Sequence, residues 1–423
     1  MRIFNQRGCD LNRNKSELPF TLLFLTIWSP TTVSYIAVFF EKITRMELLK
    51  VLFPPVLCII LILASFNYWV KRIRGTDVLT YLIIVILCLL NYWLDDTNIE
   101  VQRHYMPMFI KAYLLIFVGI AINLKSLKQP LYYMSFLNIL LASFYYLIFT
   151  QASLYSGNLE NMADSETAHI GDVAYQILPS VLYIIWYTFD SFKLINWNSI
   201  INIVCSLLGF ILISSFGTRG PLVCMICFLI LYIFFFSNQK SIARYLFLML
   251  GVVCYFFLEP LLFMMASLMQ SIGMSSRIFT YAIEGTFLAG EASTDERALL
   301  IQEAQRALNA NDLSTYFGNG FLGWSKCMSN YPHNFYYDVM ISFGYILGSL
   351  FLVALTILFF KALKAKVPND WKCIVLVVSM VGFIQLFMSG TFWSVPYFYL
   401  LIGLCLNIIR SKPELGTVKT YRL

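Results

Sequence analysis

Apolar residues in this chain come in long runs rather than in alternation. A helix needs about 17–25 of them to cross a bilayer core with its backbone hydrogen bonds kept internal. Such runs fall near 19–40, 51–70, 77–94, 107–123, 131–150, 173–190, 198–216, 221–237, 243–260, 335–361, 372–390 and 393–410. The pattern predicts an all-α polytopic membrane protein of about twelve transmembrane helices, with Pro179 interrupting the sixth run. One gap stands out. Residues 261–334 separate nine runs from the last three and form a single large loop within one polytopic domain spanning 1–423. Two apolar pieces inside the loop, 261–270 and an amphipathic helix near 295–310, are too short or too polar to cross and suit the membrane surface.

Composition agrees with the runs. Of 423 residues, 59% are hydrophobic and 13% charged, about half the charged share of a soluble domain. Residues 1–18 are polar and basic and lead into a run long enough to span, so no cleavable signal peptide is expected. The net charge of +7 reports residues that fix orientation and does not point to nucleic acid. With the N-terminus cytoplasmic, the inner segments carry Arg2, Arg7, Arg13, Lys15, Lys71, Arg72, Arg74, Lys125, Lys128, Lys193, Lys240 and Arg244. Lys361, Lys364, Lys366, Lys372 and a basic tail add to them. The outer segments hold about half as many, so both termini are expected inside and the large loop outside. Its Arg277, Arg297 and Arg306 are then cations on the face that should be poor in them.

Most of the ten cysteines sit inside apolar runs. Cys224 and Cys227 have CxxC spacing but no further thiol or imidazole nearby, which reads as small buried hydrophobes rather than a zinc site. The two halves show no self-similarity, and the interrupted paired helices of an inverted-repeat transporter are not apparent.

Arg219 lies in Ser215-Phe216-Gly217-Thr218-Arg219-Gly220-Pro221, a tight turn whose proline suits the first position of the next helix. It reads either as an arginine snorkelling to lipid phosphate or as a fixed guanidinium donating two hydrogen bonds to a phosphate ligand. In the loop, Ser293 and Glu296 have capping-box spacing, which predicts a helix from Thr294. Arg297 then shares an apolar face with Leu300, Ala304 and Ala307, whereas Arg306 is out of phase, pairs with Glu303 and is solvated surface. Arg277, in Ser275-Ser276-Arg277-Ile278, has the same two readings as Arg297: an ion pair or a phosphate ligand. His104 and His169 stand without convergent partners. His333, after Pro332 at the mouth of a span, is expected at head-group depth, where an imidazole suits the work of a general base, or is an interfacial histidine. Asp95-Asp96 lacks the second acidic cluster that a metal site would need.

Together these residues resemble the O-antigen ligase/polymerase superfamily of bacterial envelope glycosyltransferases. The matching pieces are Gly217-Thr218-Arg219-Gly220, Ser276-Arg277-Ile278, Glu296-Arg297 with its amphipathic helix, Phe317-Gly318-Asn319-Gly320-Phe321, and Pro332-His333-Asn334 with Asp338 and Gly344. They cover roughly residues 198–410; the first five or six runs match only in being apolar. Asp338 stands where Glu is common, and Ser342 where relatives often carry an acid.

The resemblance implies an inverting glycosyl transfer that needs no metal or other cofactor, at the periplasmic face of a bacterial inner membrane. His333 would be catalytic, and Arg219, Arg277 and Arg297 would bind the pyrophosphate of an undecaprenyl-linked glycan. Asn334, Asp338, Tyr331, Gly318 and Gly320 would support them. Donor and acceptor would both be lipid-linked oligosaccharides, with a chain-length regulator protein as a further partner. A Wzy-type polymerase is the first reading; a ligase to lipid A–core and a polysaccharide-lipid flippase are the alternatives. Trp324, Tyr331, Phe335, Tyr336 and Tyr337 suit stacking on sugars and equally suit an aromatic belt.

Overall fold

The first apolar run does not cross straight. Glu17–Trp28 (α1) turns by 90° at Ser29 into α2 (Pro30–Thr44), where proline occupies a first-turn position that needs no N–H donor. A computed structural model describes residues 17–44, 47–94, 99–155, 159–191, 197–215, 219–235, 291–310 and 313–411, together with 263, 264 and 267. Next come α3 (Glu47–Ala64), bent by 61° at Ser65 into α4 (Phe66–Arg72), then α5 (Gly75–Leu94), α6 (Ile99–Ala121) and α7 (Lys128–Tyr155). The helices α8 (Leu159–Ser191), α9 (Trp197–Ser215) and α10 (Arg219–Phe235) follow. The loop contributes α11 (Glu291–Leu308) and α12 (Leu313–Phe317). Last are α13 (Phe335–Lys364), α14 (Asn369–Ser379, prolonged to Phe387 through a π turn and a 3-10 turn) and α15 (Pro396–Arg410).

The described residues are all helical and turn, without strands. By length and apolarity, four helices can cross a membrane: α6, α9, α13 and α14 with its extension; six qualify if each bent pair counts as one span. The helices overlap eleven of the twelve apolar runs, and the run 243–260 lies outside the described residues. Two expectations change. Pro179 does not interrupt α8, and interrupted apolar helices, absent from the sequence reading, exist at Ser29 and Ser65. The outer faces are apolar: Ile346, Leu347, Leu350, Val353, Ile357 and Phe360 of α13 are all well exposed, a surface that lipid would cover.

At the centre, α6 and α15 touch backbone to backbone. A methyl on Gly119 would meet the Leu404 nitrogen at 2.6 Å, and one on Gly403 would strike the Ile116 carbonyl. Small residues permit this approach, and dispersion then holds it where the hydrophobic effect does not act.

One end of the bundle is pinned by polar contacts. Arg410 donates to both carboxylate oxygens of Asp77 at 2.8 Å each, and Arg72 Nη1 donates to the Ala121 carbonyl at 2.9 Å. Asn407 Nδ2 donates to the carbonyls of Gly119 and Ile122, and Lys128 pairs with Asp190 at 2.7 Å. The opposite end gathers the end of α5, the start of α6, the segment 313–334 and the turn 388–395.

Candidate functional site

Gly344 (φ 70°, ψ 176°) breaks the regular path of α13 in a backbone region open essentially to glycine alone. Ladder carbonyls are freed there, and the preceding loop takes them up. Asn319 N donates to Ile341 O and Gly320 N to Ser342 O, both at 2.9 Å. Contact is so close that a side chain at Gly318 would strike the Ser342–Phe343 backbone, and one at Gly344 the backbone of Tyr316 and Phe317. The Phe317-Gly318-Asn319-Gly320-Phe321 segment is thus a plug set into the kink of α13. Phe321 anchors it, with its ring 4.8 Å from Trp393 and 5.4 Å from Phe109. Trp324 adds a second anchor, 5.7 Å from Tyr105 and 6.0 Å from Tyr331.

Four backbone positions of this segment have positive φ: Gly318, Gly320, Leu322 (51°) and His333 (49°). For the two non-glycines each costs on the order of 1 kcal/mol and persists only where packing over-determines it. Leu322 is fully buried, which supplies that packing. His333 is fixed from both sides. Its ring lies 4.1 Å from that of Tyr331, and the next residue, Asn334, caps α13 by accepting from the N–H groups of Tyr336 (3.0 Å) and Tyr337 (3.4 Å).

One turn further in, Asp338 is 2% exposed. Its Oδ2 accepts from Thr391 Oγ1 at 2.6 Å and from Phe392 N at 3.2 Å. A turn beyond, Ser342 Oγ accepts from Trp393 Nε1 at 3.3 Å. The turn 388–395 therefore docks on α13 through side chains that the sequence reading did not single out: Thr391 and Trp393. Its signal was the short Ser389-Gly390-Thr391 break between two apolar runs, with Pro396 opening the next helix.

Buried polar atoms without a hydrogen-bond partner among the described residues also gather here. They are Asp338 Oδ1, Trp324 Nε1 and Asn91 Oδ1, the last on a side chain lying against Gly320. Such orphans are rare in folded proteins and mark places where water or a ligand is owed.

The expected arginines fare differently. Arg219 is the first residue of α10, and its side chain lies outside what the structure describes. The adjacent Gly220 abuts the Tyr175 hydroxyl, and a methyl there would stand 3.4 Å from Met388 Cβ. The start of α10 is thus beside the 388–395 turn that holds Asp338. Arg277, Asp95 and Asp96 lie outside the described residues. Arg297 is exposed, as are residues 298 and 299. Helix α11 begins at Glu291, so Ser293 falls inside it rather than capping it, and among its described side chains Leu300, Ala304 and Leu308 are the buried ones, where the helix packs on α12 and α13. Arg297 projects from the part of α11 before that contact, about 12 Å along the axis from Gln305, whose Nε2 donates to Tyr337 Oη at 2.9 Å.

Glu303 also departs from expectation. Its carboxylate accepts from Ser329 N (3.0 Å) and Ser329 Oγ (2.9 Å), and Arg306 acts on it only through space. The Ser329 backbone and hydroxyl donors, with a smaller help from Arg306, hold Glu303 below the usual carboxylate range. Between α11 and the plug an open groove of about 500 Å³ is lined by Glu303, Arg306, Lys326 and Ser329. Lys326 is steadied by donating to the Asn319 carbonyl at 2.7 Å. In the bundle, Cys224 Sγ donates to the Met380 carbonyl at 3.4 Å, and no three His, Cys, Asp or Glu residues cluster as metal ligands among the described residues.

Compared with known proteins, the chain matches no protein-family model, no curated protein and no solved structure.

Proposed function

We propose that this protein is a Wzy-type polysaccharide polymerase, joining undecaprenyl-pyrophosphate-linked glycan units at the periplasmic face of a bacterial inner membrane. One observation carries the reading. His333 is held at positive φ between Tyr331 and a capped helix start, one turn from buried Asp338, at the bundle end where α10 begins with Arg219. In this reading His333 takes the proton from the acceptor hydroxyl as its oxygen attacks the anomeric carbon from the face opposite the pyrophosphate. A new glycosidic bond forms, the bond to the phosphate oxygen breaks, and undecaprenyl pyrophosphate leaves with the electron pair. Arg219, Arg277 and Arg297 would stabilise the charge that develops on it, which makes a divalent ion unnecessary. The groove beside Lys326 and Arg306 offers the growing glycan a path off the site.

Deleting the gene and examining the surface glycan tests the reading. Core bearing a single repeat unit supports a polymerase; bare core with accumulating lipid-linked polymer means a ligase instead. Wild-type polymer length in a well-expressed His333→Ala variant would remove the general base from the mechanism. A transport reading rests on the 90° break between α1 and α2, a device of membrane transporters. It predicts repeat units trapped at the cytoplasmic face after deletion.

A further inference from the structure

Asp338 joins two parts of the molecule that the chain brings together from far apart. It sits five residues into the chain from His333, and its Oδ2 is the acceptor for both Thr391 Oγ1 and Phe392 N. Those donors belong to a turn that begins at Met388, whose Cβ would stand 3.4 Å from a methyl placed on Gly220 at the start of α10. The turn is internally stiff: Ser394 N and Val395 N both donate to the Thr391 carbonyl, and Gly390 takes positive φ. A rigid turn held at one end by Asp338 and lying against Gly220 at the other fixes the separation between the His333 loop and the Arg219 helix.

We propose that Asp338 is a positioning residue, setting the turn 388–395 so that the His333 loop, on the acceptor side, and the start of α10, on the pyrophosphate side, stand at the right separation for one transfer. The inference rests on the polymerase reading for the identity of the substrate. It assigns the work to an acceptor oxygen, not to the acidity of the carboxyl. The Asp338→Asn substitution keeps one acceptor oxygen for Thr391 and Phe392, and Asp338→Ala keeps none.

The experiment uses the full chain in lipid nanodiscs. It measures undecaprenyl pyrophosphate affinity and chain extension for wild type, Asp338→Asn, Asp338→Ala, Thr391→Val and His333→Ala. Asp338→Asn should stay within about threefold of wild type in KM and kcat. Asp338→Ala should raise KM and weaken undecaprenyl pyrophosphate binding by roughly tenfold or more, as expected when the acceptor of two buried hydrogen bonds is lost. Thr391→Val should fall between them. His333→Ala should lose turnover and keep affinity. If Asp338→Asn is as inactive as Asp338→Ala, the carboxyl takes part in proton transfer and the positioning role is overturned. Wild-type affinity in Asp338→Ala overturns it as well. Should Asp338→Ala fail to insert, Thr391→Val decides, since it leaves the carboxylate in place: an unchanged KM would overturn the proposal. Failure of the polymerase reading looks different, because wild type itself would then extend no chains.

Discussion

Two buried polar clusters in this protein are built to opposite rules. At the bend between α1 and α2 the buried polar side chains satisfy one another. Asn138 Oδ1 accepts from Thr31 (2.6 Å) and Thr32 (2.9 Å), its Nδ2 donates to Ser180 Oγ at 2.9 Å, and Ser180 shares a hydrogen bond with Ser29. Trp28 Nε1 donates to Ser135, and Tyr397 Oη reaches the carbonyls of Ile27 and Trp28 that the bend sets free. At the mouth of α13 the opposite holds: Asp338, Trp324 and Asn91 each keep a buried polar atom without a partner among the described residues, and Leu322 and His333 hold uncommon backbone angles. A satisfied network in low dielectric fixes a shape, whereas buried polar atoms without partners and uncommon backbone angles are costly and concentrate at functional sites. The first cluster reads as a fulcrum and the second as a site.

The sharpest way to break the second cluster leaves its chemistry untouched. Gly344→Ala puts a side chain where φ is 70° and where the Tyr316 and Phe317 backbone already stands. Backbone cannot step aside as a rotamer can, so the cost is on the order of 3–5 kcal/mol, joining left-handed strain to overpacking. The plug should leave α13 and chain extension should cease, with protease sensitivity rising between 313 and 334. Normal activity in this variant would show that the plug is not part of the site.

The next largest effect belongs to the fulcrum. Asn138→Ala strips the partner from two threonine hydroxyls at once and leaves Ser180 with Ser29 alone. At 1–3 kcal/mol for each buried group left unpaired, partly relieved by the groups re-pairing, the loss is about 3 kcal/mol. It should appear as a lower melting temperature in detergent, with activity per folded molecule nearly unchanged. A large loss of turnover without a change in melting would move the fulcrum into the site and favour the transport reading.

His333→Asn separates strain from chemistry at the same position. Asparagine tolerates left-handed φ at least as well as histidine, so stability should hold within about 1 kcal/mol of wild type. Turnover should fall by roughly 10²–10⁴, the share of a general base. A variant that loses stability and activity together would mean that the ring serves packing against Tyr331.

Sequence and structure agree most where one physical rule dominates. The exclusion of unpaired backbone from a lipid core makes long apolar runs legible, and the helices fall where those runs do. The bends at Ser29 and Ser65 were not legible, because they depend on partners far along the chain: Asn138, Ser180 and Tyr397 for the first. His333, Asn334, Asp338, Gly318 and Gly320 stood out as a local pattern; the structure sets the first three at the start of α13 and the two glycines against its kink. Thr391, Trp393 and Asn91 did not, since each carries common chemistry made special only by what it touches. Arg297 shows the limit of helical phasing: Leu300 and Ala304 are buried as the phasing predicts, but Leu308 is buried rather than Ala307, and which turns of α11 are covered depends on where α12 and α13 pack.

The smallest effect lies at the rim of the site, where Glu303 ties α11 to the plug. Its folded-state pKa is depressed from the ordinary 4.5 by the Ser329 donors, so the carboxylate binds fewer protons folded than unfolded. The stabilisation it gives is complete above that ordinary value and is lost as pH falls through the lower folded value. Acid should therefore free residues 326–331 from α11 before it disturbs the buried clusters. Hydrogen exchange at Ser329 N should quicken relative to its intrinsic rate between pH 5 and roughly pH 3, and Glu303→Gln should remove that dependence while keeping one acceptor. The groove beside Arg306 and Lys326 would then widen without loss of His333 or Asp338 contacts. Equal protection of Ser329 at both pH values would mean that α11 is held by Leu300, Ala304 and Leu308 alone, and that its polar rim does not steer the glycan.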